Sequence, residues 1–123
     1  MPSRIVSDAK AMSLNIFFFP ESHCSKETYW RPQADVYRSP HGWLIKFELA
    51  GVRPEDIAVS YDGSRLSVAG IRRDLFIEEG YNSYSMEISY SRFERTIKLS
   101  DDIKPARVIN EYRDGMLLVK VIN

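Results

Sequence analysis

The side chains able to do chemistry are few and stand apart. The single cysteine, Cys24, directly follows His23, and the second histidine, His41, sits in a Ser-Pro-His-Gly segment. A nucleophilic thiol needs an orienting base, and a zinc site needs three or four converging ligands. This spacing meets neither requirement, so the sequence predicts no catalytic residue, no metal and no cofactor.

Three pairs of adjacent acids are the remaining candidates for acid–base chemistry, namely Glu55-Asp56, Glu78-Glu79 and Asp101-Asp102. Neighbours in sequence seldom converge on one substrate atom, and each pair falls in a predicted turn, where solvated carboxylates are expected. The sequence also lacks a phosphate-binding glycine loop and a Gly-x-Ser-x-Gly elbow. We therefore predict that the protein is not an enzyme.

The composition is that of one globular domain with no strongly charged partner. The 123 residues include 17 lysines and arginines and 17 aspartates and glutamates, so the net charge is zero, whereas nucleic-acid binders carry a basic surplus. Balanced charge also permits self-association. No apolar run approaches the roughly 18 residues of a membrane helix, and the first residues make a poor secretory leader. We expect a cytoplasmic protein without a nucleic-acid or membrane partner.

From residue 30 onward, apolar and polar residues alternate with the period of two that is typical of strands. The alternating stretches are 43–49, 57–62, 65–68, 84–90, 93–99 and 116–122. Asp62-Gly63 and Asp114-Gly115 are tight-turn pairs between such stretches. About seven short strands at this spacing predict an all-β, immunoglobulin-like antiparallel β-sandwich over 30–123. Residues 1–29 show no sustained period and are predicted to be a flexible arm.

The segment 72–83 is too long for a hairpin connection and carries the apolar triplet Leu75-Phe76-Ile77. Loops of this length usually have a function. Two interpretations remain open at this point. Either the segment folds back on its own sandwich as a short strand, or it is an arm that pairs with the sheet edge of a second copy.

Arg95 lies on the otherwise apolar face of the predicted strand 93–99. Burying a guanidinium without a partner is costly. Arg95 therefore either reaches water at the end of the sheet or forms an ion pair across a subunit contact. The acids considered for such a pair are Glu78, Glu79 and Glu87.

The order of motifs after residue 30 resembles the alpha-crystallin domain of small heat-shock proteins, in its bacterial form. The matching stretches are Trp30-Arg31-Pro32, Phe47 to Ile57, Leu66 to Arg73, Tyr90 to Leu99 and Asn110 to Leu117. Two positions depart from the family pattern. Asn110 stands where the family usually has alanine, and Met116 stands where it has valine or isoleucine.

The resemblance implies an ATP-independent holdase that binds partly unfolded client proteins under stress and prevents their aggregation. It implies a homodimer, or a higher oligomer built from it, formed by strand exchange through 72–83. The interface would include Leu75, Phe76, Ile77, Glu78 and Arg95. Clients would bind an apolar groove between the edge strands 57–61 and 107–112, at Ile57, Val59, Tyr61 and Ile109. The N-terminal arm would add the client-binding residues Ile16, Phe17, Phe18 and Phe19.

Members of this family usually carry a C-terminal tail whose Ile-x-Ile/Val motif docks in a neighbour's groove. Val119-Lys120-Val121 has that spacing but fits the last predicted strand, so either the groove stays open or another segment fills it. Large tail-linked cages are then not expected. The alternative function is a CS-type co-chaperone adaptor, a monomer that binds an ATP-driven chaperone, and the long segment 72–83 disfavours it. A carbohydrate-binding sandwich would need exposed coplanar aromatic rings.

Overall fold

The computed structural model describes residues 3–7, 29–99 and 107–122, and the regular structure in these ranges is almost entirely β. The strands are β1 (Ser3–Ser7), β2 (Ala34–Ser39), β3 (Gly42–Glu48), β4 (Ile57–Tyr61), β5 (Arg65–Ile71), β6 (Arg92–Lys98), β7 (Arg107–Arg113) and β8 (Met116–Ile122). One 3-10 turn, Pro54–Asp56, precedes β4. The predicted all-β fold class is confirmed.

The strands form two antiparallel sheets. The larger sheet has the order β1-β7-β8-β3-β2, and the smaller sheet has the order β4-β5-β6. Side chains from both sheets join in one hydrophobic core, so the sheets make the predicted sandwich. This topology leaves β2 at one edge of the larger sheet and puts β4 and β6 at the edges of the smaller one.

The core follows from the alternation along the strands. Inward-facing residues of β3, β5 and β8 are completely or almost completely buried, while their neighbours face outward. The largest fully buried side chains are Phe47, Phe93, Ile45, Leu49, Ile57, Leu66, Leu99, Leu117, Val68, Val108, Val119 and Val121. Burying each such side chain stabilises the fold by about 1.5–3 kcal/mol. The period of two therefore decides which face of each strand becomes the interior.

Two tight turns connect strands as the sequence predicts. Asp114 and Gly115 both have positive φ, 54° and 79°, which is the conformation that Asp-Gly pairs adopt in two-residue hairpins. Between β4 and β5, the Asp62 carboxylate accepts hydrogen bonds from the backbone N–H groups of Ser64 at 3.0 Å and Arg65 at 2.7 Å. These backbone hydrogen bonds lower the pKa of Asp62.

Two stretches differ from the sequence prediction. Residues 84–90 alternate like a strand, yet this described stretch contains none, and Tyr84, Met86 and Ile88 are exposed. Strand alternation yields a strand only where a neighbour takes up the backbone hydrogen bonds, and the single chain offers none there. Conversely, Ser3–Ser7 lies within the predicted arm and forms a strand, because the edge of β7 supplies a partner.

Candidate functional site

The connection between β5 and β6, residues 72–91, carries most of the exposed apolar surface. It holds eight of the ten large apolar side chains that are exposed in the described residues, and Phe76 and Ile77 are 85% and 75% exposed. No part of the connection forms a strand on its own sandwich, so the first of the two interpretations of 72–83 is wrong. Exposed apolar surface concentrated in one segment usually marks an interaction site.

Arg72 fixes both ends of this connection to the sandwich. Its guanidinium lies over the Trp30 ring, 3.7 Å from the ring centroid. Its Nε donates a hydrogen bond to the carbonyl oxygen of Ser89 at 2.9 Å, and its Nη1 donates to that of Ala50 at 3.2 Å. One side chain thus holds the start of the connection next to its end.

Trp30 extends this attachment to β6. Its ring meets Phe93 edge to face, with centroids 5.5 Å apart and an interplanar angle of 74°, a geometry worth about 0.5–1.5 kcal/mol. Its backbone N–H donates to the carbonyl oxygen of Arg92 at 2.9 Å. The segment before β2, the start of the connection and β6 therefore meet around one indole ring.

Arg73 makes a second attachment, to the buried carboxylate of Asp56. Its Nε lies 3.0 Å from Oδ2 and its Nη2 lies 3.3 Å from Oδ1, while Nε of Arg53 lies 3.3 Å from Oδ2. The Asp56 side chain is only 12% exposed. Burial by itself raises the pKa of Asp56, but the hydrogen bonds from Arg73 and Arg53 outweigh it, and the net shift is downward.

The prediction of a solvated Glu55-Asp56 pair is therefore wrong for Asp56, although Glu55 is 66% exposed. A close approach explains how Asp56 reaches its position. A Cβ at Gly70 would collide with the carbonyl oxygen of Asp56 and with the ring of Phe93. Gly70 thus lets the 3-10 turn lie against β5. This places Asp56 beside Arg73, which follows the strand. Sequence reasoning missed this carboxylate because its partner Arg73 is 17 residues away.

Arg95 faces inward on β6, as its position in the alternation predicts. Its Nη1 donates a hydrogen bond to the carbonyl oxygen of Pro32 at 2.7 Å. Its Nε is buried and has no hydrogen-bond partner among the described residues. The guanidinium is thus only partly satisfied in the single chain, and its ion pair across a subunit contact stays a prediction.

The edge of β2 is open in the described part of the chain. β2 pairs with β3 on one side only, and its Val36 and Tyr37 side chains are exposed. A cleft of about 340 Å³ opens beside it, with walls that include Tyr37, Trp43 and Lys120. β2 therefore offers both unpaired backbone groups and an apolar recess bordered by a cation.

The residues predicted to line a client groove lie in two environments. Ile57, Val59 and Tyr61 on β4 are 1%, 3% and 4% exposed and belong to the core. Ile109 on β7 is half-buried. β4 is an edge strand, whereas the outer edge of β7 pairs with β1. Any segment that approaches this edge would meet the backbone of β4 before these three side chains.

Several residues that the sequence analysis considered for client binding or for chemistry lie outside the described ranges. They are Ile16, Phe17, Phe18, Phe19, His23, Cys24, Asp101 and Asp102. Within residues 3–7, 29–99 and 107–122, no three potential metal ligands come together. No helix in those ranges is long and apolar enough to cross a membrane.

The two sheets and the long exposed connection define a β-sandwich of the alpha-crystallin type, and solved structures agree. Heat shock protein 16.0 from Schizosaccharomyces pombe matches with a TM-score of 0.68 and 28% identity, over 76% of this chain and 87% of that one. The hspA protein of Xanthomonas axonopodis shares the fold, with a TM-score of 0.67 and 24% identity over 78% and 96% of the chains.

The chain belongs to the Hsp20/alpha crystallin family, whose model matches residues 35–123. Small heat shock protein C2 of Rickettsia felis is 26% identical over 85% of this chain and 68% of the relative. Heat shock protein 16 of Schizosaccharomyces pombe is 31% identical over 72% and 63%. Spore protein SP21 of Stigmatella aurantiaca is 30% identical, and the chain spans 51% of its length. The family resemblance is confirmed, and these matches give no support to the CS-type adaptor.

Proposed function

We propose that this protein is an ATP-independent holdase that binds partly unfolded proteins through apolar surface and prevents their aggregation under stress. The observation that carries the proposal is the apolar surface outside the segment 72–83, where Tyr84, Met86 and Ile88 are exposed, on a domain of a chaperone family. Such a surface binds many sequences because it does not demand one fixed partner geometry. The proposal includes a cytoplasmic location and no enzymatic activity, as expected of a protein that acts by binding alone.

The same proposal includes a homodimer formed by exchange of 72–83. β2 has an edge whose backbone groups lack a strand partner, and the triplet Leu75 to Ile77 is an exposed apolar segment that lacks a covering surface. Pairing the triplet of one copy with β2 of another would satisfy both. The acids Glu78 and Glu79 follow the triplet, and Lys120 borders the cleft beside β2. This charge complementarity favours pairing between β2 of one copy and the arm of another.

Arg95 supports the same arrangement. Its buried Nε lacks a hydrogen-bond partner among the described residues, and the connection that would be exchanged contains Glu78, Glu79 and Glu87. An acid from the partner's arm would complete the hydrogen bonding of the guanidinium. We propose that the dimer interface contains Leu75, Phe76, Ile77, Glu78 and Arg95.

Client contacts are proposed at the β4 and β7 edges, with Ile57, Val59, Tyr61 and Ile109, and on the arm residues Ile16 to Phe19. The open edge of β4 supports the first site, because an extended segment can add to an unpaired strand through backbone hydrogen bonds. The run of one isoleucine and three phenylalanines supports the second, since its side chains suit apolar contact.

Light scattering tests the holdase proposal directly. Citrate synthase is heated alone, with this protein, and with an immunoglobulin domain at the same concentration, in each case without ATP. We expect the protein to suppress scattering near an equimolar ratio and the immunoglobulin domain to have no effect. Absence of suppression by a protein that circular dichroism shows to be folded would refute the proposal.

A further inference from the structure

The outer edge of β7 is occupied by a strand from the same chain. β1 pairs antiparallel with β7, with Ser3 opposite Tyr112 and Ser7 opposite Val108. β7 lies between β1 and β8 in the larger sheet, so β7 would be an edge strand if β1 left. The edge at which the family resemblance implies client binding is thus filled by residues that the sequence predicts to be an arm.

Two features make β1 easy to displace. It has five residues and pairs along one side only, and short edge strands open at low free energy. At its midpoint, Ile5 is opposite Asn110, a fully buried residue whose side-chain amide nitrogen and oxygen have no hydrogen-bond partner in the described ranges. Buried polar atoms left without partners weaken the structure around them.

We propose that Ser3–Ser7 is a displaceable plug on the β7 edge. While paired, the plug prevents an extended client segment from adding to β7 as a strand, and its departure opens that edge. Backbone hydrogen bonds along an edge are available to any extended segment, so plug and client compete for the same groups. The client part of this inference rests on the proposed holdase function.

A double substitution, Ile5→Pro with Val6→Pro, removes the plug from the full chain. Neighbouring residues of a strand direct their backbone groups to opposite sides, so one of the two prolines falls where an N–H points toward β7. Proline cannot donate that hydrogen bond. The matched control is the exchange Ile5→Val with Val6→Ile, which keeps composition and strand propensity.

Hydrogen exchange at the backbone amides of 108–112 is the first measurement. We expect the amides facing β1 to exchange about tenfold faster or more in the double-proline variant. The alternate amides, which face β8, should keep their protection and show that the fold is intact. The control variant, Ile5→Val with Val6→Ile, should show the same hydrogen-exchange rates as the parent. Equal protection of β7 in the parent and the double-proline variant would refute the plug.

A labelled peptide with the sequence of residues 1–9 is the second probe. If the plug occupies the edge nine-tenths of the time, the double-proline variant should bind the peptide about tenfold more tightly than the parent does. Equal affinity for both chains would overturn the inference. A smaller assembly formed by the double-proline variant, measured by light scattering, would assign the strand to a second copy and overturn the plug within one chain.

Client protection separates this inference from the function on which it rests. The double-proline variant should suppress aggregation of heated citrate synthase at a lower molar ratio of this protein to citrate synthase than the parent does. Suppression by both chains at the same ratio would refute competition between plug and client. If neither chain suppresses aggregation while the exchange and peptide results hold, the holdase proposal fails and the displaceable strand stands.

Discussion

The guanidinium of Arg72 lies 3.7 Å from the centre of the Trp30 ring, and the same side chain donates a hydrogen bond to Ser89. Arg72 begins the connection that carries the exposed apolar side chains, and Ser89 lies near its end. Trp30 in turn contacts Phe93 in the core. The exposed connection is therefore anchored at both ends to the interior of the sandwich, which limits the positions its apolar triplet can reach.

Replacing Arg72 by lysine should lower the free energy of unfolding by about 1–2 kcal/mol. A lysine keeps the charge but loses the planar stacking and the forked hydrogen bonds to two carbonyl groups. Urea denaturation of both chains measures the difference. Arg31→Lys, at an exposed neighbouring position, is the matched control and should change stability little; equal effects of both substitutions would contradict the anchoring role.

Deleting residues 75–79 should convert the proposed dimer into a monomer. The deletion removes the apolar triplet and both acids that we propose to meet β2 of a second copy, and leaves the Arg72 anchor in place. Light scattering of the eluted protein gives its mass. Tyr84→Ser, a change at a fully exposed position of the same connection, should leave the mass unchanged. A deletion variant that stays dimeric would rule out exchange through this segment.

Replacing Arg95 by alanine should lower the melting temperature and weaken the dimer. The substitution leaves the carbonyl oxygen of Pro32 without its 2.7 Å hydrogen bond, a loss of about 1–3 kcal/mol when the group is buried. Calorimetry and dilution of the dimer measure the two effects. Lys98→Ala, at an exposed position of the same strand, is the control. If Arg95→Ala changes neither quantity, the hydrogen bond to Pro32 does not stabilise the fold and the ion pair across a subunit contact is refuted.

The Asp56 carboxylate should make stability fall in acid. Its pKa is lowered in the folded state, so its contribution is complete above the unfolded pKa of about 4 and is lost as the pH falls through the lower folded value. Asp56→Asn should cost about 1–2 kcal/mol at pH 7, because the two arginines lose a charged acceptor. Below pH 4 the difference in free energy of unfolding between Asp56→Asn and the parent should shrink.

Urea denaturation between pH 2 and pH 7 measures this dependence, and Glu55→Gln is the matched control because Glu55 is largely exposed. The control should follow the parent at every pH. If the free energy of unfolding of Asp56→Asn stayed as far below that of the parent at pH 2 as at pH 7, the Asp56 carboxylate would not be the titrating group.

Removing residues 1–29 should weaken protection of a heat-unfolding client, although the same deletion removes the plug. The deletion takes away the apolar run Ile16 to Phe19, whereas the double-proline variant keeps it. Light scattering of heated citrate synthase should therefore rank the double-proline variant above the parent and the parent above the deletion variant. Full protection by the deletion variant would place client binding on the sandwich alone.

The sequence by itself determined the family and the inner faces of β3, β4, β5, β6 and β8. Alternation with a period of two requires that Ile45 and Phe47 share one face, and burial of that face is the main favourable term in folding. The Asp-Gly pairs specify tight turns because both positions accept positive φ. These are local properties, so neighbouring residues suffice to predict them. Arg95 could likewise be placed on the apolar face from its position alone.

Only the tertiary structure decided which edges are paired and which charges are buried. Ser3–Ser7 becomes a strand because β7, more than 100 residues later, supplies its hydrogen bonds, while the equally regular alternation at 84–90 finds no partner. Asp56 is buried because Gly70 of β5 and Arg73, two residues after β5, lie against it. Strand pairing and ion pairing depend on groups distant in sequence, and no local pattern contains them.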